Sequence, residues 1–536
     1  MMPRLSDAAL RKAAQLMAKH GSERAAARAA GMSRSTFQHH LKRAVERGFT
    51  APPASAPERG SAASFPRAGV RRFLLTAAQD ETPLHEGFWA NLTAYAAHMG
   101  AEIMVGGFTY QKGLFEDHAV ATGRFNARIA PFLRPEVVEL AERLVWYGRA
   151  NILPTATDPL SGWETASRRS WAIFPHAKIA LRSVPTMPGK PGKQIMTTGV
   201  VTRPNYVQRN AGQKAEFHHT IGATIVEVAP DGAFFCRQIA ASDSGDFQDL
   251  DVMARGGVIT SGHRIEACTW GDIHREFLDP DVAAGTWGFD VDTGRCDVPG
   301  SILDALQPRY QFIHDSFNFT GRSHHTRNDP HERVRLRAAG QESVEAEIRL
   351  AAGFLAAVRR PFVQTVHVDS NHNQHLHRWA RDPEGISDPV NARYWCELNV
   401  AALTAAEHGD RDFILHEWAL RRAEPSSLEG IVFLRAGQSF TICQAVGAIE
   451  NGLHGDIGPS GARGSAPAFA RIVERATGAH GHHPVIREAY YQAGTSSRLD
   501  MHYNTRGPGN WAHSHVITYP NGKRAILTMV GPRWRA

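Results

Sequence analysis

The sequence predicts an α/β protein that carries a small all-α module at its N-terminus, and three observations predict it. Residues 1–48 divide into three short helical stretches punctuated by Gly21 and Gly31. Residues 49–69 are rich in Pro, Ala and Ser, the composition of a semi-extended linker. Beyond them, short apolar runs alternate with stretches of helical spacing, over 70–260 and again over 261–536, and this alternation builds α/β folds.

In the first module, Ala8–His20 is rich in Ala, Leu and Met and stops at Gly21. Ser22 is placed to cap the second helix and Ser33 the third, which runs to Gly48. A short helix, a Gly-containing turn and a capped following helix form the helix-turn-helix pattern. In that pattern Arg34, Ser35, Gln38 and His39 lie at the end of the third helix that faces bases. Residues 1–50 hold ten Lys and Arg against three Asp and Glu, a surplus equal to the net charge of +7 for the whole chain. Charge gathered in one tethered module points to a polyanion partner. Protein docking is the other use open to such a module.

In residues 70–260, Arg72–Ala77, Phe88–Met99 and Ala101–Gly106 read as strand, helix and parallel strand. ATIVEVA and GAFFCRQIA read as further strands, and His218-His219 as structural. No apolar run approaches the ~20 residues of a membrane span, and the N-terminus lacks the apolar core of a signal peptide. The five cysteines are scattered and odd in number, with no C-x-x-C, which fits reduced thiols in a cytoplasm and excludes a disulfide framework.

The chemistry concentrates in residues 261–536, where apolar strands run into Asp, His or Asn. Open α/β sheets bind ligands at those carboxyl ends. Ile265–Trp270 leads to Asp272-Ile273-His274, an Asp-x-His able to aim both side chains at one metal. Tyr310–Ile313 leads to His314-Asp315, a single carboxylate able to bridge two metals. Phe362–Val368 leads to Ser370-Asn371-His372-Asn373, with a neutral oxygen donor beside an imidazole that can meet a phosphate. Ile449–Leu453 leads to His454-Gly455-Asp456, and Ala479-His480-Gly481-His482 supplies an H-x-H. The pair His513/His515 competes for this last place. His480/His482 is preferred, because the 26 residues after His454 leave room for one helix, Pro467–Thr477, and a Pro and a strand follow. His324-His325 and His375/His377 read as pocket-lining or surface residues.

The ordered series GDIH, HD, SNHN, HG and AHGH resembles the calcineurin-like metallophosphoesterase superfamily over residues 261–530. The resemblance implies a two-sheet sandwich flanked by helices, with a water activated by two divalent ions, manganese first and iron or zinc also suited to the mixed N and O donors. It assigns Asp272, His274, Asp315 and His482 to one ion. Asp315 again, with Asn371, His454 and His480, falls to the other, and His372 becomes the proton donor to the leaving oxygen. The departures are His314, Ser370, Asn373 and Ala479 at neighbouring positions, and Asn373 in place of an acid puts the orientation of His372 in question. The segment HGDIGPSGARGS and the C-terminal stretch from Ala489 further resemble DNA-transfer nucleases of tailed bacteriophages, which implies DNA as substrate, a role in DNA transfer or host-DNA degradation, a host cytoplasmic setting, and a phosphate contact for Arg463. Other readings are a phosphatase or nucleotide phosphodiesterase with a docking helix-turn-helix, or a DNA-binding regulator with an inactive phosphoesterase fold. Self-association is left open.

Overall fold

The computed structural model describes every residue except 1–5, 21–22, 48–68, 110–123 and 502–503, and forms two compact units, Met1–Ser64 and Phe65–Ala536. The N-terminal unit has the expected three helices, Asp7–His20, Glu23–Ala29 and Arg34–Glu46. Their contact is built from small side chains, Ala13, Ala26 and Ala27, closed by the buried ring of Phe37. The Ser33 hydroxyl accepts from the Thr36 N–H at 3.1 Å, the N-cap that its position predicts. Ser35, Gln38 and His39 are exposed. The Ser22 cap, the side chain of Arg34 and the linker up to residue 68 lie outside the described residues.

The second unit is mixed α/β with several sheets. Strand Arg71–Gln79, helix Glu86–Met99 and strand Glu102–Phe108 follow in the expected order, and the two strands pair in parallel. Gly222–Val228 and Phe234–Ala240 form a hairpin that completes this sheet. Alternate side chains divide its faces: Leu74 and Ala78 pack under the helix against Phe88 and Leu92, while Phe73 and Leu75 meet Trp146 and Met196 on the other side.

Two further sheets carry the site. The six-stranded one runs in the order Val432–Phe433, Gln364–His367, Tyr310–Ile313, Ala267–Thr269, Ser514–Thr518 and Arg524–Thr528, the first four parallel. Cys268, Ile313, Ile517 and Leu527 turn toward helices whose Trp287, Ile348 and Leu420 cover that face. Ala267, Phe312 and Val366 turn the other way and meet Ile442 and Ile449 of a ten-stranded sheet.

That larger sheet corrects the expected domain boundary at 260/261. It joins five strands from residues 137–197 to five from 441–492, and Ile486 pairs directly with Leu181. The Val485–Arg487 strand would otherwise expose an unpaired edge, so the ladder crosses the expected boundary and fuses both halves. The helix expected over Pro467–Thr477 is also corrected. A single turn, Ala466–Phe469, is followed by strand Arg475–Gly478, which takes a place between Ile449–Glu450 and Tyr490–Gln492. Pairing on both edges overrides local helical preference. Among the described residues, no helix is long and apolar enough to cross a membrane.

Candidate metal centre

The carboxyl ends of five parallel-paired strands converge on one point. Ala267–Thr269 delivers Asp272 and His274, Tyr310–Ile313 delivers Asp315, and Gln364–His367 leads to Asn371 at the start of helix Asn371–Ala380. From the ten-stranded sheet, Ile449–Glu450 delivers His454, and Arg475–Gly478 delivers His480 and His482. Gly271 is required here: a Cβ would stand 2.8 Å from the Thr495 backbone, beside which Asp272 forms a parallel bridge. His274, Asp315, His480 and His482 all take left-handed backbone, with φ of 43, 46, 66 and 56°. Each such residue costs about 1–3 kcal/mol, so the fold bends the chain at considerable cost to aim these side chains inward.

Asp272, His274, Asp315 and His482 are buried, and one ligand atom of each lies within 4.8 Å of the others. His482 Nε2 is 3.1 Å from Asp272 Oδ2, and His274 Nε2 is 3.6 Å from Asp315 Oδ2. On the other side of Asp315, His454 Nε2 lies 3.3 Å from Asp315 Oδ2 and 2.9 Å from Asn371 Oδ1. The His480 ring stands 5.0 Å from that of His454, centroid to centroid. Asp315 thus touches both groups, and the structure brings together all seven residues that the sequence singles out as ligands.

The electrostatics fit a cation. All four carboxylate oxygens of Asp272 and Asp315 are buried among imidazoles, and His274 Nδ1 and His482 Nδ1 are buried without a hydrogen-bond partner. Burial pushes the His274 imidazole down to about 3 and His480 to about 4, and holds His482 well below its usual range, so these rings stay neutral as metal ligands must. Burial and the nearby Asp315 charge hold Asp272 well above the usual carboxylate range. Burial opposes ionisation of Asp315 most strongly, but His454 and the neighbouring imidazoles together outweigh it and hold that carboxyl well below its usual range. His454 is itself raised to about 10 against burial by Asp315 and Asp272. The protonated His454 imidazole offsets the charge of Asp315, a part that a divalent cation can take over. The donor set therefore fits the ions that the resemblance implies.

Asp315, Asn371, His372, His480, His482 and Arg463 line a cavity of about 780 Å³. Arg463 is exposed at its rim. Gly464 lets that loop fold back, since a Cβ there would meet the Gly455 carbonyl at 1.8 Å. His372 is held by a group the sequence does not reveal: its Nδ1 lies 2.6 Å from the Asn318 carbonyl. The Asn318 N–H in turn donates to both oxygens of Glu276, at 3.0 and 2.9 Å, while Gly321 N–H donates to Glu347. Asn373, where the resemblance implies an acid, is buried with both amide atoms unpartnered and does not perform that task.

The competing pair is occupied elsewhere. His513 Nε2 lies 2.9 Å from the Ser497 carbonyl, and His515 accepts from the Gly271 N–H at 3.1 Å and meets the Thr286 hydroxyl at 3.0 Å. His480→Ala and His482→Ala should each lower bound metal, measured by elemental analysis, whereas His513→Ala should leave it unchanged. His515→Ala should instead lower thermal stability, by roughly 2–4 kcal/mol, for the cavity and the orphaned Gly271 N–H it leaves. Metal loss confined to the His513 and His515 variants would move the site. His219, held between Tyr206 Oη at 2.7 Å and the Thr202 carbonyl at 2.8 Å, is structural as expected.

No family model matches the chain, and no solved structure matches it. The chain is similar to Protein A1 of Escherichia phage T5, at 37% identity over 467 residues that cover 85% of this chain and 81% of the relative. Identity of that degree, over that share of both chains, means that the chain belongs to the family of the phage T5 Protein A1.

Proposed function

We propose that the chain is a metal-dependent phosphodiesterase that hydrolyses DNA in the cavity above Asp315. The observation that carries this reading is the buried set Asp272, His274, Asp315 and His482, continued through Asp315 to His454 and Asn371, with its carboxylate oxygens buried among imidazoles. The packing of the six-stranded sheet on the ten-stranded one supports the phosphoesterase sandwich. Phage kinship and the surplus of positive charge in residues 1–50 favour DNA over a small phosphoester.

Two divalent ions, when bound, would lower the pKa of the attacking water and offset charge on the phosphate oxygens. Asp272, His274, Asp315 and His482 would hold one, and Asp315, Asn371, His454 and His480 the other. The chain itself does the rest. Arg463 at the rim meets a phosphate of the bound strand. His372, fixed through Nδ1–H on the Asn318 carbonyl, carries its reacting proton on Nε2 and gives it to the leaving oxygen. That carbonyl fixes the orientation of the ring, the task that the resemblance gives to an acid.

Linear DNA and bis-p-nitrophenyl phosphate separate this reading from a small-molecule phosphatase: DNA should be the better substrate by kcat/KM. Deleting residues 1–60 should leave hydrolysis of the small diester nearly unchanged, while DNA binding weakens and its salt dependence flattens. If the third helix reads bases, Arg34→Ala and Gln38→Ala should each cost about 1–3 kcal/mol of sequence discrimination. A truncated chain with the DNA affinity and salt slope of the full one would assign the module to protein docking.

A further inference from the structure

We propose that His324, His325 and His375 form a separate site for one zinc-class divalent ion on the wall of the same cavity. One ring nitrogen of each lies within 4.8 Å of the others. The ring centroids of His324 and His325 are 3.8 Å apart, and those of His324 and His375 4.7 Å. His375 is only 8% exposed, and its Nδ1 is buried without a hydrogen-bond partner. A buried imidazole nitrogen left unsatisfied needs an explanation, and a bound ion supplies one.

The helix places His375 one turn after His372, and their rings stand 4.9 Å apart. His324 and His325 come from the segment beyond Asn318, His324 half-buried and His325 exposed. The cluster therefore adjoins the proton donor without sharing a ligand with the main centre. Its donors also differ. Three imidazoles and no carboxylate suit zinc, copper or nickel rather than magnesium, calcium or manganese. Three protein ligands leave a position open for an oxygen donor. His325 and His375 line the cavity, so that oxygen belongs to a phosphate next to the scissile one, a step that rests on the DNA phosphodiesterase reading. Arg378 Nη1 lies 2.8 Å from His324 Nε2 and 3.0 Å from its Nδ1, so the guanidinium competes with a metal for this ring.

The test is the number of zinc ions bound by the full chain, stripped with chelator and dialysed against micromolar zinc. The double variant His324→Ala/His325→Ala, at two positions outside the buried core, should bind one ion fewer than the native chain. Asp315→Asn should lose ions from the main centre yet keep this one, so failure of the two-metal reading is told apart from failure of the histidine site. Arg378→Gln should bind the extra ion more tightly. Equal stoichiometry in the double variant and the native chain would overturn the site. So would an equal loss from His331→Ala, an exposed histidine outside the cluster.

Discussion

Asp315→Asn should slow DNA hydrolysis by several orders of magnitude and empty the main metal centre. The side chain is buried, and its Oδ2 lies 3.6 Å from His274 Nε2 and 3.3 Å from His454 Nε2, so one carboxylate serves both ligand groups. Removing its charge removes the bridge on which the pairing of the ions depends. Misfolding would not account for the loss. Asn has the same shape as Asp and tolerates the left-handed backbone found at this position, where φ is 46°. Turnover and bound metal measured on the same preparation decide the matter. Near-normal turnover would show that the site lies elsewhere.

His372→Ala should behave differently. Metal content should stay at the native value while turnover falls by about 10²–10⁴, the range for loss of a positioned general acid. Asn318 contributes a backbone carbonyl, which no side-chain substitution removes. Glu276→Gln probes it instead, by weakening the grip on the Asn318 N–H, and should produce a smaller loss in kcat with metal retained.

The convergence of these side chains was legible because strand ends are local. Tyr310–Ile313 is a strand with the bounds its apolar run suggests, and it carries Asp315 to the point a parallel sheet reserves for ligands. The same holds for the β-α-β unit around Glu86–Met99, whose period is unambiguous. Long-range pairing was not legible. Nothing in residues 181–184 announces that they will pair with 485–487, and that pairing is what erases the boundary at 260. Pro467–Thr477 failed for the same reason: a strand within it is claimed from both sides by neighbours distant in sequence. Asn318 escaped notice because its contribution is a main-chain carbonyl, identical in every residue. The histidines at 324, 325 and 375 read from the sequence as pocket-lining or surface residues rather than ligands, because their mutual approach depends on a loop and a helix about fifty residues apart.

The most direct measurement is degradation of DNA by the purified full chain with manganese, before and after chelation. The account predicts cleavage with the metal, none after complete chelation, and recovery when manganese is restored. Cleavage that survives complete removal of metal, at the native rate, would contradict it.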